Sequence, residues 1–457
     1  MIKSFIFLNL HAYIISFIIM PFYTYKTNIS YNITDYYTIQ AFTENNIYTY
    51  LLIGTPPQKI IANINFNDYV FNIYNNQCDI PSDYNSLDKN STTSKNKGYI
   101  LADVYVDTFL YEDIFSLPHG PNKYYKLNYI YAPLNNNLFE QNIEKKKFTC
   151  ANIGLKLSMD FAGTFDFNFL RELKNLDVID NYVFYLYYND TIKEEGNLII
   201  GNWPHEIDKN KFDINDLKEE YAINNKKILC WKLKFDTLDI QCNDNKDKVF
   251  YNLTNNLEAE IDYNLNVIYA NHEFMELIDQ LYFKKQIDNK ICTKIYINNN
   301  NLIYYECDIS LDITTFPNII FIHKIFSSKF ILSYKDVFIS DNIKYIFLVW
   351  FDLSDNKIWK LGKPFLKKYL FTFDLDKKTI GYYSNKVDSK KFKDDKNVIQ
   401  NKNIILLKVI CLILLSFIAF ILCYFCTKYY YQQKKQSIKN IKLTELIYVK
   451  EEKQNKL

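Results

Sequence analysis

The sequence predicts an all-β body followed by one C-terminal membrane-spanning helix, and three observations lead there. From Ile47 onward, short runs rich in Tyr, Phe, Ile and Val alternate with clusters of Asn, Asp and Lys, the pattern of strands separated by turns. Long helical periods are few, and the clearest is His272 to Tyr282, with Phe274, Leu277, Ile278 and Leu281 on one face. Residues 404–427 form an apolar run of the length that one bilayer crossing requires.

The chain has 457 residues, enough for two or three domains at roughly 150 residues each. Its formal charge is +2, and its Lys residues are mixed with Asp and Glu instead of being gathered into a patch. That excludes nucleic acid as a partner. Only 9 Gly occur, so those that remain mark turns and close approaches that a side chain would disturb.

The two ends fix the expected compartment. Residues 1–25 begin with Lys3, continue as an apolar run from Phe5 to Met20, and read as a secretory signal peptide; an uncleaved anchor is the competing reading. At the other end Lys408 is placed to snorkel to the outer interface. Lys428, Lys434, Lys435, Lys439 and Lys442 put residues 428–457 on the cytosolic side. The expected topology is single-pass type I, in the secretory pathway or at the cell surface, with the bulk of the chain luminal or extracellular. Sequons at Asn28, Asn32, Asn90, Asn189 and Asn252 suit N-glycosylation there.

Six cysteines, Cys78, Cys150, Cys230, Cys242, Cys292 and Cys307, fall in the luminal body, an even number suited to disulfides. Cys230 and Cys242 bracket an expected hairpin across which they could pair, although spacing alone leaves the connectivity open. Cys411, Cys423 and Cys426 lie in the span as small apolar residues or palmitoylation sites. No matched Cys-x-x-Cys pairs, no Gly-rich phosphate loop and no Gly-x-Ser-x-Gly elbow are present. His272-Glu273 lacks the second His of a zinc helix. Neither a metal nor a cofactor is expected.

Residues 26–45 are polar and read as a linker or the remnant of a pro-segment. Beyond them, several segments resemble the pepsin-like aspartic proteases (peptidase A1). Gly54-Thr55-Pro56-Pro57-Gln58 feeds a strand with Ile60, Ala62 and Ile64, then an Asn65-Phe66-Asn67-Asp68 break, then Val70, Phe71 and Ile73. Leu101 to Ile114 occupies the place of the family's flap hairpin. Phe161 to Phe167 resembles the strand beneath the first catalytic loop, with Asp166 at a family Gly. Val183 to Tyr187 and Gly196 to Gly201 resemble the paired strands that close the first lobe. Ala259 to Ile268 resembles the second active-site segment, and Cys292 and Cys307 precede a Phe316-Pro317-x-Ile319-x-Phe321 match. The closing signature is clearest, in Trp359-x-Leu361-Gly362-x-x-Phe365-Leu366-x-x-Tyr369, Phe373-Asp374 and Ile380-Gly381-Tyr382. The resemblance implies a bilobal pepsin-like acid protease fold with two related β lobes, 46–215 and 216–388, and a juxtamembrane linker over 389–403.

The chemistry of that family needs two carboxylates sharing one proton, one acting as base toward a water and the other as acid toward the substrate carbonyl. Ungapped alignment puts Asp262 at the second position and Asn65 at the first. In the flap, the family's Tyr position falls near Leu101 and its Gly positions on Ala102 and Val104. Tyr263 and Asn264 replace small residues beside the second carboxylate. The expectation is therefore an inactive pseudoprotease that binds a peptide or protein ligand in the interlobe cleft. The alternative is an active, divergent aspartic endopeptidase in which Asp68 substitutes for Asn65.

Overall fold

Period-two burial builds the strands of the first half. Ile47–Ile53 buries Ile47, Thr49, Leu51 and Ile53, and Gln58–Asn65, returning antiparallel to it, buries Ile60, Ala62 and Ile64. The Gly-Thr-Pro-Pro turn between them contains a cis Thr55–Pro56 peptide bond. The computed structural model describes residues 17–24, 36–74, 91–102, 105–117, 124–132, 151–156, 168–189, 194–225, 228–229, 231–243, 248–297, 301–340, 343–353 and 358–384. All of these belong to one unit, Met1–Lys390.

Two large sheets carry the architecture. The first has 13 strands, in the order Leu217–Tyr221, Thr379–Tyr383, Phe371–Asp374, Val183–Tyr188, Glu195–Ile200, Ile18–Thr24, Ile47–Ile53, Gln58–Asn65, Ala151–Gly154, Phe71–Tyr74, Tyr125–Ala132, Tyr105–Ser116 and Lys95–Ala102. The second has 11 strands and runs from Ser328–Leu332 through Asn318–His323, Lys232–Asn243, Lys248–Ile261, Trp359–Leu361 and Ile268–Ala270 to Val349–Asp352 and beyond. The expected mostly β chain with two β halves is therefore observed.

The same wiring is used twice. In the first half Gln58–Asn65 pairs parallel with Ala151–Gly154, which pairs antiparallel with Phe71–Tyr74, which pairs parallel with Tyr125–Ala132. In the second half Lys248–Ile261 pairs parallel with Trp359–Leu361, which pairs antiparallel with Ile268–Ala270, which pairs parallel with Val349–Asp352. Each crossed set ends in a glycine packed under the loop that follows the first strand. A Cβ on Gly154 would strike the backbone of Tyr69 and Val70, and one on Gly362 would strike the carbonyls of Leu265 and Val267. Both positions exclude any side chain for that reason.

An aromatic cluster joins the halves beneath these loops. Phe184 stacks on Phe373 with ring centroids 5.0 Å apart, Trp231 meets Phe373 edge-on at 4.9 Å, and Phe66 meets both Phe184 and Phe373 at 5.6 Å. The Leu302–Asp308 and Cys292–Ile297 strands carry the Cys292–Cys307 disulfide at directly opposed positions. The flap segment is a hairpin of Lys95–Ala102 with Tyr105–Ser116, pinned at its base where Thr93 Oγ1 donates to Asp113 and the Thr55 amide donates to Ser91 Oγ.

Ile18–Thr24 is a strand between Glu195–Ile200 and Ile47–Ile53, with Ile18, Met20 and Phe22 fully buried. Within the expected 26–45 linker, Tyr36–Thr43 is a helix packed on the second half through Phe42 and Trp350. The first sheet also takes in strands from the second half of the chain, because Leu217–Tyr221, Phe371–Asp374 and Thr379–Tyr383 align beside Val183–Tyr188. Lys232–Asn243 is one continuous strand. Its hairpin partner is Lys248–Ile261. Cys230 itself lies outside the described residues.

Also outside them are Cys78, Cys150, the sequons at Asn28, Asn32 and Asn90, Phe161 to Phe167 with Asp166, and residues 385–457 with the apolar 404–427 run. Among the described residues no helix is long and apolar enough to cross a membrane.

Candidate functional site

The two crossed sets deliver Asn65 and Asp262 to equivalent points. Asn65 ends the Gln58–Asn65 strand, and its Oδ1 accepts the amide of Asn67 at 2.8 Å. Asp262 follows the Lys248–Ile261 strand, and its Oδ1 accepts the amide of Asn264 at 2.9 Å. Each side chain thus closes a turn onto the residue two places on, a geometry short polar side chains adopt readily.

The residues at those second places then cross to the opposite loop. Asn67 Nδ2 donates to Asp262 Oδ2 at 2.9 Å. Asn264 Oδ1 accepts the Phe66 amide at 2.8 Å, and Asn264 Nδ2 donates to the Ile64 carbonyl at 2.9 Å. Between them the Phe66 and Tyr263 rings lie 4.6 Å apart. Asn65 and Asp262 are accordingly brought together through Asn67. Asn264, expected only as the replacement of a small residue, bridges the loops together with Asn67. The signal present was an Asn two places beyond each site position.

Asp262 is 4% exposed. Burial pushes its carboxyl above the ordinary range, while the Asn67 amide and the Asn264 N–H pull it back; Glu260 adds to the rise and Lys360 opposes it.

Asp68, the expected substitute, makes its contacts within the first half. Its Oδ1 accepts the amides of Tyr69 and Val70, at 2.7 and 3.1 Å, and its Oδ2 accepts Asn152 Nδ2 at 2.8 Å. Burial raises its pKa, opposed by those three hydrogen bonds and by Lys156. Asp68 is a brace of the first loop. The brace continues in Asn168, which caps the Phe169–Asn175 helix with Oδ1 and donates Nδ2 to the carbonyls of Tyr69, Gly154 and Lys156.

The second loop has its own support, unforeseen in the sequence. The Asn45 amide donates to the Asn264 carbonyl and Asn45 Nδ2 to the Tyr263 carbonyl. Asn266 returns the contact, its amide donating to Thr43 and its Nδ2 to Phe42 and Glu44 carbonyls. Lys363, beside Gly362, donates its amide to Leu265 and pairs its Nζ with Glu194 at 2.7 Å. Among the described residues, no three His, Cys, Asp or Glu side chains are gathered to hold a metal ion.

Two β half-sites of identical wiring, meeting at paired loops over a shared sheet, define a two-lobed acid-protease class of fold. The family model for eukaryotic aspartyl protease matches residues 153–384, just over half of the chain, and the chain belongs to that family. The match takes in Asp262, Phe316 to Phe321 and the closing Trp359 to Tyr382 segments. The Asn65 loop lies upstream of it, where the equivalence of the two crossed strand sets carries the comparison. A comparison with curated proteins returns no match.

Proposed function

We propose that this chain is a type I membrane-anchored pepsin-like protein without peptidase activity, which binds an extended peptide or protein segment between its lobes. The observation that supports it best is the pairing of Asn65 with Asp262 at equivalent points of the two half-sites. Acid proteolysis requires a proton shared and exchanged between two carboxylates. A carboxamide neither takes nor gives that proton, so Asp262 alone can hold a water or a ligand N–H without completing the base and acid steps. The reading is also supported by the contacts of Asp68, the nearest other carboxylate, which lie within the first half. Anchoring is supported by the apolar 404–427 run and its basic flank.

The test uses the full-length protein in detergent with a random peptide library, from about pH 4 to about pH 7, the span over which a carboxylate pair changes protonation. Peptides are expected to be retained uncut. Cleavage that disappears in Asp262→Ala would overturn the reading and establish an active endopeptidase.

A further inference from the structure

Asp262 keeps a carboxylate in the place where this fold concentrates its chemistry, yet its outward oxygen is already taken. Asp262 Oδ2 accepts Asn67 Nδ2, while Oδ1 is held by the Asn264 amide inside its own turn. Asn67 is an exposed residue on the opposite loop, and its side chain reaches across to a carboxylate that is 4% exposed. The reach is directed, because the Asn67 amide is fixed on Asn65 Oδ1, which orients the side chain toward the second loop. Every other cross-loop contact described above engages backbone or ring atoms: Asn264 with Ile64 and Phe66, and Phe66 with Tyr263. The Asn67 contact is different in kind, since it consumes the one reactive group of the site and links an exposed side chain to a buried one.

From this placement we infer that Asn67 is a built-in occupant of the site, an autoinhibitory carboxamide standing where a ligand's N–H donor would sit on Asp262. This deepens the peptide-binding reading and rests on it for the ligand. The chemistry that displaces Asn67 is an N–H donor presented by an extended chain: a peptide backbone amide, or an Asn or Gln side chain. Such a group replaces the lost hydrogen bond one for one, whereas an apolar group leaves Oδ2 of a buried carboxylate without the donor that Asn67 supplied. Displacement needs only rotation of the Asn67 side chain, because the loop itself stays held by Asn168, Asn152 and Asn264.

The experiment measures how fast Asp262 is esterified by a small aryl glycidyl ether in the full-length protein, with the modified site mapped by peptide mass spectrometry. The carboxylate oxygen attacks the epoxide carbon, the ring C–O bond breaks, and the alkoxide takes a proton from water. Asn67→Ala is expected to react about tenfold faster than the unaltered chain, as befits removal of one charge-assisted hydrogen bond that otherwise opens first. Asn67→Gln retains a carboxamide long enough to reach and is expected to stay near the unaltered rate. Equal rates in Asn67→Ala and the unaltered chain would overturn the inference. So would equal acceleration in Asn67→Ala and Asn67→Gln, which would mean that the loop had loosened. The rate at Asp308, whose exposed carboxylate is remote from these loops in sequence, normalises for reagent and folding. The labelling result does not depend on peptidase activity, so it fails separately from the proposal that the chain is inactive.

Discussion

Asn264 holds the first loop by its backbone, accepting from Phe66 and donating to Ile64 with a single carboxamide. Replacing it by Ala would leave an amide and a carbonyl without partners at the junction of the two halves. Asn264→Ala is expected to destabilise the fold by about 1–3 kcal/mol, the range for unsatisfied buried polar groups, read from the urea midpoint at constant m. Asn264→Asp keeps the acceptor for Phe66 but turns the Ile64 contact into a carboxylate facing a carbonyl, so it is expected to fall no nearer the unaltered protein than Ala does. A midpoint unchanged in both variants would show that the Phe66–Tyr263 ring contact and the Asn67–Asp262 hydrogen bond suffice to join the loops.

At the scale of elements, the Tyr36–Thr43 helix is the part least visible beforehand. Its eight residues include few strong apolar signals, and its anchor, Phe42, stacks at 5.4 Å on Trp350, far along the chain. Trp350 in turn stacks on Tyr304 at 4.5 Å, so the helix completes a small satellite core on the second half. From there Thr43, Glu44 and Asn45 tie directly into the Tyr263 to Asn266 loop. Phe42→Ala removes a side chain that is 1% exposed. The expected cost is about 3–5 kcal/mol, with faster hydrogen exchange at the amides of Asn45 and Asn266, which bond across this junction. If the amides of Asn45 and Asn266 keep their protection while global stability falls, the helix supports the core but not the loop. What the sequence did reveal followed from strict periodicity and dense local motifs. The Ile60, Ala62, Ile64 alternation forms a strand as read, and the Trp359, Leu361, Gly362 signature forms a strand of the other sheet that leads into a tight glycine contact. What it hid depended on partners distant in sequence. Asp68 was legible as a carboxylate near the site, but only the position of Asn152 shows which way it points. The same holds for the pairing of Ile18–Thr24, whose partner Glu195–Ile200 lies far along the chain.

Across the whole molecule, the buried carboxylates set a pH response of definite sign. Burial raises the pKa of Asp68, Glu172, Asp262 and Asp374 above the ordinary carboxylate value, in each case against hydrogen bonds or a lysine that favour the charged form. A carboxyl group whose pKa is higher folded than unfolded binds its proton more tightly in the native state. Stability therefore rises as pH falls through the raised native values, and the gain is complete near the ordinary unfolded value. Glu112, hydrogen-bonded by Lys97, and Asp308, hydrogen-bonded by Ser310, are shifted the other way. Both lie at the surface, so their loss of stability begins only at lower pH and is softened by solvent screening. The full-length protein in detergent is thus expected to melt at a higher temperature near roughly pH 5 than near pH 7, and to lose stability again under stronger acid. Glu172 offers the cleanest check, because it makes no contact with Asp262 and its Oε2 accepts both the amide and the side chain of Asn128. Glu172→Gln keeps an acceptor for Asn128 while removing the titration, so the variant is expected to gain stability at pH 7 and to show a shallower rise on acidification. Melting temperatures that fall steadily from pH 7 downward in the unaltered protein would mean that the surface carboxylates, and not the buried ones, govern how this fold responds to acid.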